Sequence, residues 1–184
     1  MAKSEGPLVL VWLDLEMTGL DSTRDVILDV AAIVTGADLV ERGRYAQTVW
    51  QPDSALAGMD PYVRDMHDKS GLANRVRKSQ KGLRDVENEL FALIHAHAGP
   101  GEAVLAGNSI HADRRFVAAY MPLVDRYISY RLLDVTSVKI LKRAWYAELE
   151  APVKKGAHTA LADVEESIAE LAWYKEAIFR KREP

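Results

Sequence analysis

The chain contains no cysteine. That excludes a disulfide framework and any thiolate-bound metal, and it suits a reducing compartment. No long basic tract is present, and the formal net charge is −3. A protein that coats duplex nucleic acid draws its affinity from many phosphate contacts, so that class is disfavoured. A protein handling only short strands needs few such contacts and stays open. The apolar run near the N-terminus, Leu8 to Leu13, is too short to span a bilayer. It runs straight into Asp14 and Glu16 with no small-residue cleavage pattern, so it reads as a core strand and the protein as cytoplasmic. Internal repeats, low-complexity segments and linkers are also missing. What remains is 184 residues, 48% hydrophobic and 28% charged, the size and balance of a single globular domain over 1–184 with a sizeable core.

Hydrophobic patterning gives the order of elements. After the first strand, Met17 to Arg24 reads as a turn, Val26 to Thr35 as a second strand and Gly36 to Gly43 as another turn. Arg44 to Gln51 reads as a third strand, and the short connections predict an antiparallel meander. Asp60-Pro61 opens a short helix, since proline is favoured at the first helical position. Ser79 to Ala98 reads as a longer helix, with Leu83, Val86, Leu90, Leu93 and Ile94 on one face. Gly99-Pro100-Gly101 stops it. A fourth strand over Glu102 to Ala106, a helix from Ala112 to Met121 ending near Pro122, a fifth strand over Arg131 to Val135 and a helix over Thr136 to Glu148 follow. Ala151 to Ala157 reads as a loop. The last helix, Thr159 to Arg180, carries Leu161, Val164, Ile168, Leu171 and Ile178 on its core face. Three strands and then alternating strands and helices predict a mixed α/β fold, with the later strands parallel to the first.

The chemistry-bearing residues cluster at the edges of these elements. Asp14 and Glu16 are two apart on a strand and share a face, with Leu15 opposite. Neighbouring carboxylates repel and are costly to desolvate, and a hard dication such as Mg²⁺ or Mn²⁺ removes both penalties. Taken alone, an Asp-x-Glu pair is far more often a solvated strand end than a catalytic site. Ligands in such sheets bind beyond the carboxyl ends of the strands, where this pair falls. Asp113 lies in the first turn of the helix after the fourth strand, where a carboxylate also complements the helix dipole. Asn108 is placed to orient Asp113 or to cap that helix. His158 and Asp163 are five residues apart, about 500° of helical rotation. They converge only if His158 precedes the helix and Asp163 lies within it; a helix-start histidine and a solvated acid is the alternative. Lys139, Lys142 and Arg143 read as a solvated helix face, His95 and His97 as groups near a helix C-terminus, and Arg180-Lys181-Arg182 as a frayed tail.

Together these segments resemble the DEDD exonuclease superfamily in its histidine-containing branch. Asp14-x-Glu16 matches the first motif, Asn108 to Asp113 the second, and His158-Thr159-Ala160-Leu161-Ala162-Asp163 the third. The flanking words Trp12-Leu13-Asp14-Leu15-Glu16-Met17-Thr18-Gly19-Leu20, Gly107-Asn108-Ser109-Ile110, Asp113-Arg114-Arg115-Phe116 and Tyr130-Arg131-x-Leu133-Asp134-Val135 narrow the likeness to the oligoribonuclease family, over nearly the whole chain.

The resemblance implies a ribonuclease H-like five-stranded mixed sheet flanked by helices, and a homodimer. It implies 3′-to-5′ cleavage of very short single-stranded RNA, down to dinucleotides, with release of 5′-mononucleotides. Asp14, Glu16, Asp113 and Asp163 would hold two divalent ions, Mg²⁺ or Mn²⁺, and His158 would be the general base. Leu20 and Tyr62 would wedge and stack the bases. His67, Ser109, Arg131 and Thr136 would cap the 5′ phosphate, Asn108 belongs to the same substrate-binding set, and Tyr130 would reach the site from the second subunit. Some positions depart from the family pattern. Tyr62 stands where Trp is usual, Thr136 where Ser is usual, His111-Ala112 where Cys-Gln is usual, and Asp29 where Glu is usual. Asp29 reads either as a group supporting the site or as a strand-edge acid.

Two ions about 3.5–4 Å apart activate a water, neutralise charge and stabilise the leaving oxygen. Asp14 is the expected bridge, Glu16 and Asp163 complete one site, and Asp113 serves the other. With an ordinary pKa of about 6.5, His158 suits proton transfer near neutrality. The competing readings are a proofreading-type DNA exonuclease or ribonuclease T-like enzyme of the same branch, and a catalytically silent nucleic-acid-binding module.

Overall fold

A computed structural model describes residues 8–151 and 159–179. Three consecutive strands open it: β1 (Val9–Met17), β2 (Ile27–Thr35) and β3 (Glu41–Thr48). They pair antiparallel, β1 with β2 and β2 with β3, as the short connections predict. Four helices follow, α1 (Asp53–Ala57), α2 (Pro61–Lys69), α3 (Leu72–Lys78) and α4 (Leu83–His95). β4 (Ala103–Gly107) then enters parallel to β1 on its free side, and β5 (Leu132–Asp134) lies parallel to β4. Between them run α5 (His111–Tyr120) and α6 (Pro122–Tyr127); α7 (Val135–Trp145) and α8 (Ala160–Ala177) complete the fold. The sheet order is β3-β2-β1-β4-β5, the mixed five-stranded arrangement expected.

Alternation along β1 creates the two layers. Val9, Val11, Leu13 and Leu15 bury into one core with Val30, Ala32 and Val34 of β2 and with residues of α4, α5 and α6. Leu10 and Trp12 face the other core, where Ala31, Ile33, Ala106 and the α8 residues Val164 and Tyr174 meet them. A central strand buried on both faces needs a continuous apolar run, which is why Leu8 to Leu13 carries no polar residue. The indole of Trp12 donates to Thr35 Oγ1 at 2.9 Å, so its polar edge is satisfied inside the core. On α4, Val86, Leu90 and Ile94 are buried and Leu83 and Leu93 pack beside them. On α8, Leu161, Ile168, Leu171 and Ile178 flank Val164. No helix among the described residues is long and apolar enough to cross a membrane.

Several boundaries differ from the sequence expectation. β3 begins at Glu41, because Gly43, taken for a turn residue, pairs with Val34 of β2. The long helix begins at Leu83 rather than Ser79. The Ser79 hydroxyl donates to the Thr48 carbonyl at 2.7 Å, holding the chain off the helical path, and Asp85 accepts from the Gly82 amide. α1 and α3 are additional helices. They carry Leu56, Leu72 and Val76 into a third small core with Leu28 and Met59. α5 ends at Tyr120, close to Pro122 as expected, and Pro122 also occupies the first position of a further helix, α6, where its missing N–H costs nothing. Two amides at that helix start, Leu123 and Val124, donate to the buried Glu87 carboxylate at 2.6 and 3.4 Å. The last two helices are shorter than expected at their C-terminal ends.

Candidate metal centre

Asp14 and Glu16 continue the row begun by Leu10 and Trp12, so they emerge on the face that α8 covers. β1 loses its β4 partner after Trp12↔Ala106 but stays paired with β2 as far as Met17. The acids therefore lie where one flank of the strand is open. The chain leaves β4 through Gly107, where an added Cβ would come within 2.9 Å of the Leu13 carbonyl oxygen, so only glycine allows this approach. α5 then brings Asp113 to the open flank. Its Oδ1 accepts the Leu15 backbone N–H at 3.0 Å, doing for β1 what a further β4 residue would have done.

α8 supplies the remaining acid. Its start is fixed by the Thr159 hydroxyl, which accepts from the Ala162 amide at 3.4 Å. Val164 is buried against the sheet, and the preceding residue, Asp163, is carried to β1. Oxygens of Asp14, Glu16 and Asp163 lie within 4.8 Å of one another. Asp113 is not in that triad, but its buried carboxyl is near enough for its charge to act on Glu16.

Burial, then the charges of Asp163, Asp29 and Asp113, push Glu16 up to about 7. Burial pushes Asp113 up to about 7 against the opposing effect of its hydrogen bond from Leu15. An all-oxygen donor set in which Glu16, and beside it Asp113, resist ionisation until a cation compensates them fits a hard divalent ion.

Behind the triad lies His67, one of the residues expected at the phosphate cap. Its ring is 1% exposed. Nε2 lies 2.9 Å from the Met17 carbonyl oxygen, which can only accept, so Nε2 carries the proton. Nδ1 lies 4.0 Å from Glu16 Oε2. Asp29 is the cross-strand partner of Glu16 and accepts from the Thr48 hydroxyl at 2.8 Å. Burial raises its pKa. It is therefore packed beside the site and is not a free strand-edge acid.

Asn108 neither orients Asp113 nor caps α5. Its amide nitrogen donates to Ser167 Oγ and Glu170 Oε2, and its oxygen accepts from Thr136 Oγ1 and Lys139 Nζ. It ties α7 to α8. Ser109 adopts a left-handed φ of 52°, uncommon for a residue with a Cβ. That conformation lets its amide donate to both Asp134 Oδ1 and Thr136 Oγ1 at 2.9 Å. Ser109 and Thr136 thus come together as expected, their hydroxyl oxygens 3.2 Å apart. Lys139, expected on a solvated face, is instead bonded to Asn108 and paired with Glu170 at 3.0 Å. Lys142 is likewise buried and not solvated. His111 Nδ1 stands 3.5 Å from Asp134 Oδ2.

Leu20, Tyr62 and Tyr130 are exposed at 70%, 76% and 79%. The Arg131 guanidinium lies over the Tyr130 ring, 5.0 Å from its centre. His158, like the tail Arg180-Lys181-Arg182, lies outside the described residues. Sequence reasoning missed Lys139, Asp134 and Glu170. Asp134 alone left a signal, as an acid directly before a helix, the position of a capping side chain.

Residues 11–171 match the exonuclease family model. The chain is 47% identical over 174 residues to the oligoribonuclease of Corynebacterium glutamicum, covering 92% of this chain and 80% of the relative. It is 44% identical to that of Hahella chejuensis, with 93% and 95% covered, and 40% identical to the mitochondrial oligoribonuclease of Homo sapiens, with 94% and 74% covered. Among solved structures, Escherichia coli exonuclease I in complex with an oligonucleotide superposes with a TM-score of 0.72 at 16% identity, over 94% of this chain and 42% of that one. That likeness is one of fold. Its sequence, three-acid centre and sheet order agree: the chain belongs to the exonuclease family, in its oligoribonuclease branch.

Proposed function

We infer that the protein is a 3′-to-5′ exoribonuclease that degrades very short RNA, dinucleotides in particular, to 5′-mononucleotides. The observation that carries this is the convergence of Asp14, Glu16 and Asp163 within 4.8 Å at the open end of β1. Kinship with the oligoribonucleases supports the substrate class. Asp14, Glu16, Asp163 and, from α5, Asp113 are the residues that would hold divalent ions, two Mg²⁺ or Mn²⁺ in our reading. Bound there, such ions neutralise phosphate charge and ease deprotonation of water.

The protein's own groups have distinct tasks. His158 takes the proton from the attacking water. His67 braces Glu16 from behind through its bond to Met17. Leu20 and Tyr62 bracket the two bases; a tyrosine ring still stacks, with less area than an indole. Ser109, Thr136 and Arg131 grip the 5′ phosphate, with Asn108 holding the first two in place. A substrate gripped at its 5′ phosphate and cut at its 3′ end is limited in length, which fits dinucleotides.

We read the enzyme as a homodimer in the cytoplasm. β5 is an edge strand. In α7, the helix that follows it, Ile140, Leu141 and Trp145 are exposed, Trp145 at 68%. Exposed apolar side chains together with an unpaired strand edge fit a partner surface. The lack of cysteine suits the compartment.

The test is turnover of a 5′-phosphorylated diribonucleotide with Mn²⁺, against a long single strand and the deoxy dinucleotide. Chelator-sensitive release of mononucleotide, fastest on the diribonucleotide, is expected. Faster hydrolysis of the long strand supports a ribonuclease T-like or proofreading enzyme instead, and binding without hydrolysis a silent module.

A further inference from the structure

Leu20 sits at the tip of the connection between β1 and β2. Exposed apolar tips are usually mobile, yet this one is held by a single side chain. Asp25 Oδ1 accepts from the Thr18 hydroxyl at 3.1 Å, and Asp25 Oδ2 accepts from the Asp21 backbone N–H at 2.9 Å. The two donors flank Gly19 and Leu20. One carboxylate therefore clamps both ends of the segment that presents Leu20.

The clamp is anchored at its base. The Thr18 hydroxyl accepts from the Val26 amide at 3.0 Å, and the Thr18 amide donates to the Val26 carbonyl at 3.0 Å. The Asp25 amide donates to the Asp21 carbonyl at 2.8 Å. The Tyr120 hydroxyl of α5 donates to the Asp25 carbonyl at 2.8 Å, tying the loop to the helix that carries Asp113. Gly19 fits because it has no side chain: a Cβ there would overlap the Asp25 carboxylate. Arg24, 3.8 Å from Asp25 Oδ2 and 3.5 Å from Asp21, lies on the outer side and is largely exposed.

We propose that Asp25 is a positioning residue for substrate: by clamping Thr18 and Asp21 it sets the height of Leu20 above the acidic centre, and so the fit of a base between Leu20 and Tyr62. The proposal rests on the reading of Leu20 as a base contact. Thr18 directly follows Met17, whose carbonyl binds His67, so the loop is indexed to the strand that carries Glu16. Asp25 itself touches no group of the acidic triad.

The test is a double-mutant cycle of Leu20→Ala and Asp25→Ala on the full chain, reading KM and kcat for a 5′-phosphorylated diribonucleotide, Mn²⁺ affinity without substrate, and Tm. Loss of two hydrogen bonds that order the loop should raise KM by about tenfold in Asp25→Ala. kcat and Mn²⁺ affinity should stay within about twofold, and the double variant should be no worse than Leu20→Ala alone, because both remove the same contact. Gly19→Ala, which displaces the carboxylate without removing it, should show the same KM rise, and Asp25→Asn a smaller one. These two variants carry the test if Asp25→Ala does not fold. Additive KM effects, or a loss of Mn²⁺ affinity matching the loss of turnover, overturn the positioning role. If Leu20→Ala alone leaves KM unchanged, the base-contact reading of Leu20 fails first, and the clamp falls with it.

Discussion

Asp113 Oδ1 accepts the backbone N–H of Leu15 at 3.0 Å, so one carboxylate satisfies a backbone donor of β1 and, in the function proposed above, would also serve the metal centre. The two duties separate by substitution. Asp113→Ala leaves the buried Leu15 N–H without a partner, at a cost of about 1–3 kcal/mol. Asp113→Asn keeps an acceptor and should lose less than about 1 kcal/mol, yet both variants should lose most turnover. Denaturant unfolding beside dinucleotide turnover checks this; equal destabilisation by Ala and Asn contradicts it.

Metal binding should depend on pH with a definite sign. Burial pushes both Glu16 and Asp113 up to about 7, from 4.5 and 3.8. Without metal, the unfolded chain releases these protons near its ordinary values while the folded chain retains them to near neutrality. Their stabilising contribution is thus fully present below about pH 4 and lost as pH rises through about 7. A dication binds the deprotonated form and reverses that loss. The rise in Tm on adding Mn²⁺ to chelated protein should therefore be larger at about pH 8 than at about pH 6. Equal shifts would refute the assignment.

The Asn108 hub predicts a binding defect away from the metal. Lys139→Met removes a donor to Asn108 and the partner of Glu170. It should lower stability by about 1–3 kcal/mol, because it removes the cation paired with the mostly buried Glu170 carboxylate, which keeps its neutral donors Asn108 and Tyr174. It should also raise KM for the 5′-phosphorylated dinucleotide more than for its dephosphorylated form. Equal changes for the two substrates would separate the hub from the phosphate grip.

Trp145→Asp places a charge in the exposed α7 patch. Sedimentation should show a shift from dimer to monomer, with turnover lost in parallel if Tyr130 of the partner subunit completes the site. An unchanged sedimentation coefficient assigns the patch to something else.

Much of this was readable because it depends on period and parity. The two-residue repeat of β1 places Asp14 and Glu16 on one face, and Asp163 follows from the start of α8 beside the apolar stripe of Val164 and Ile168. What was not readable depends on tertiary partners. His67 looks like any histidine late in a short helix, and only the folded chain reveals its buried seat against the Met17 carbonyl. Lys139 has the spacing of a solvated residue, but Glu170, 31 residues on, pulls it inward. Asn108 has several possible local uses, and its actual partners come from two later helices. α1 and α3 are too short for periodicity to register, and their stability comes from burying Leu56, Leu72 and Val76 together. Pro122 was ambiguous because proline both ends one helix and begins the next.

Val164 is buried in the core and Asp163 is the next residue toward the N-terminus of α8. The spacing of the acidic oxygens is consequently set by how deeply the helix beds onto Trp12 and Ile33. A conservative trimming of that apolar seat, far from any phosphate, would let the helix settle and alter ion selectivity before it altered folding. In this enzyme the precision of the chemistry is inherited from the fit of hydrocarbon.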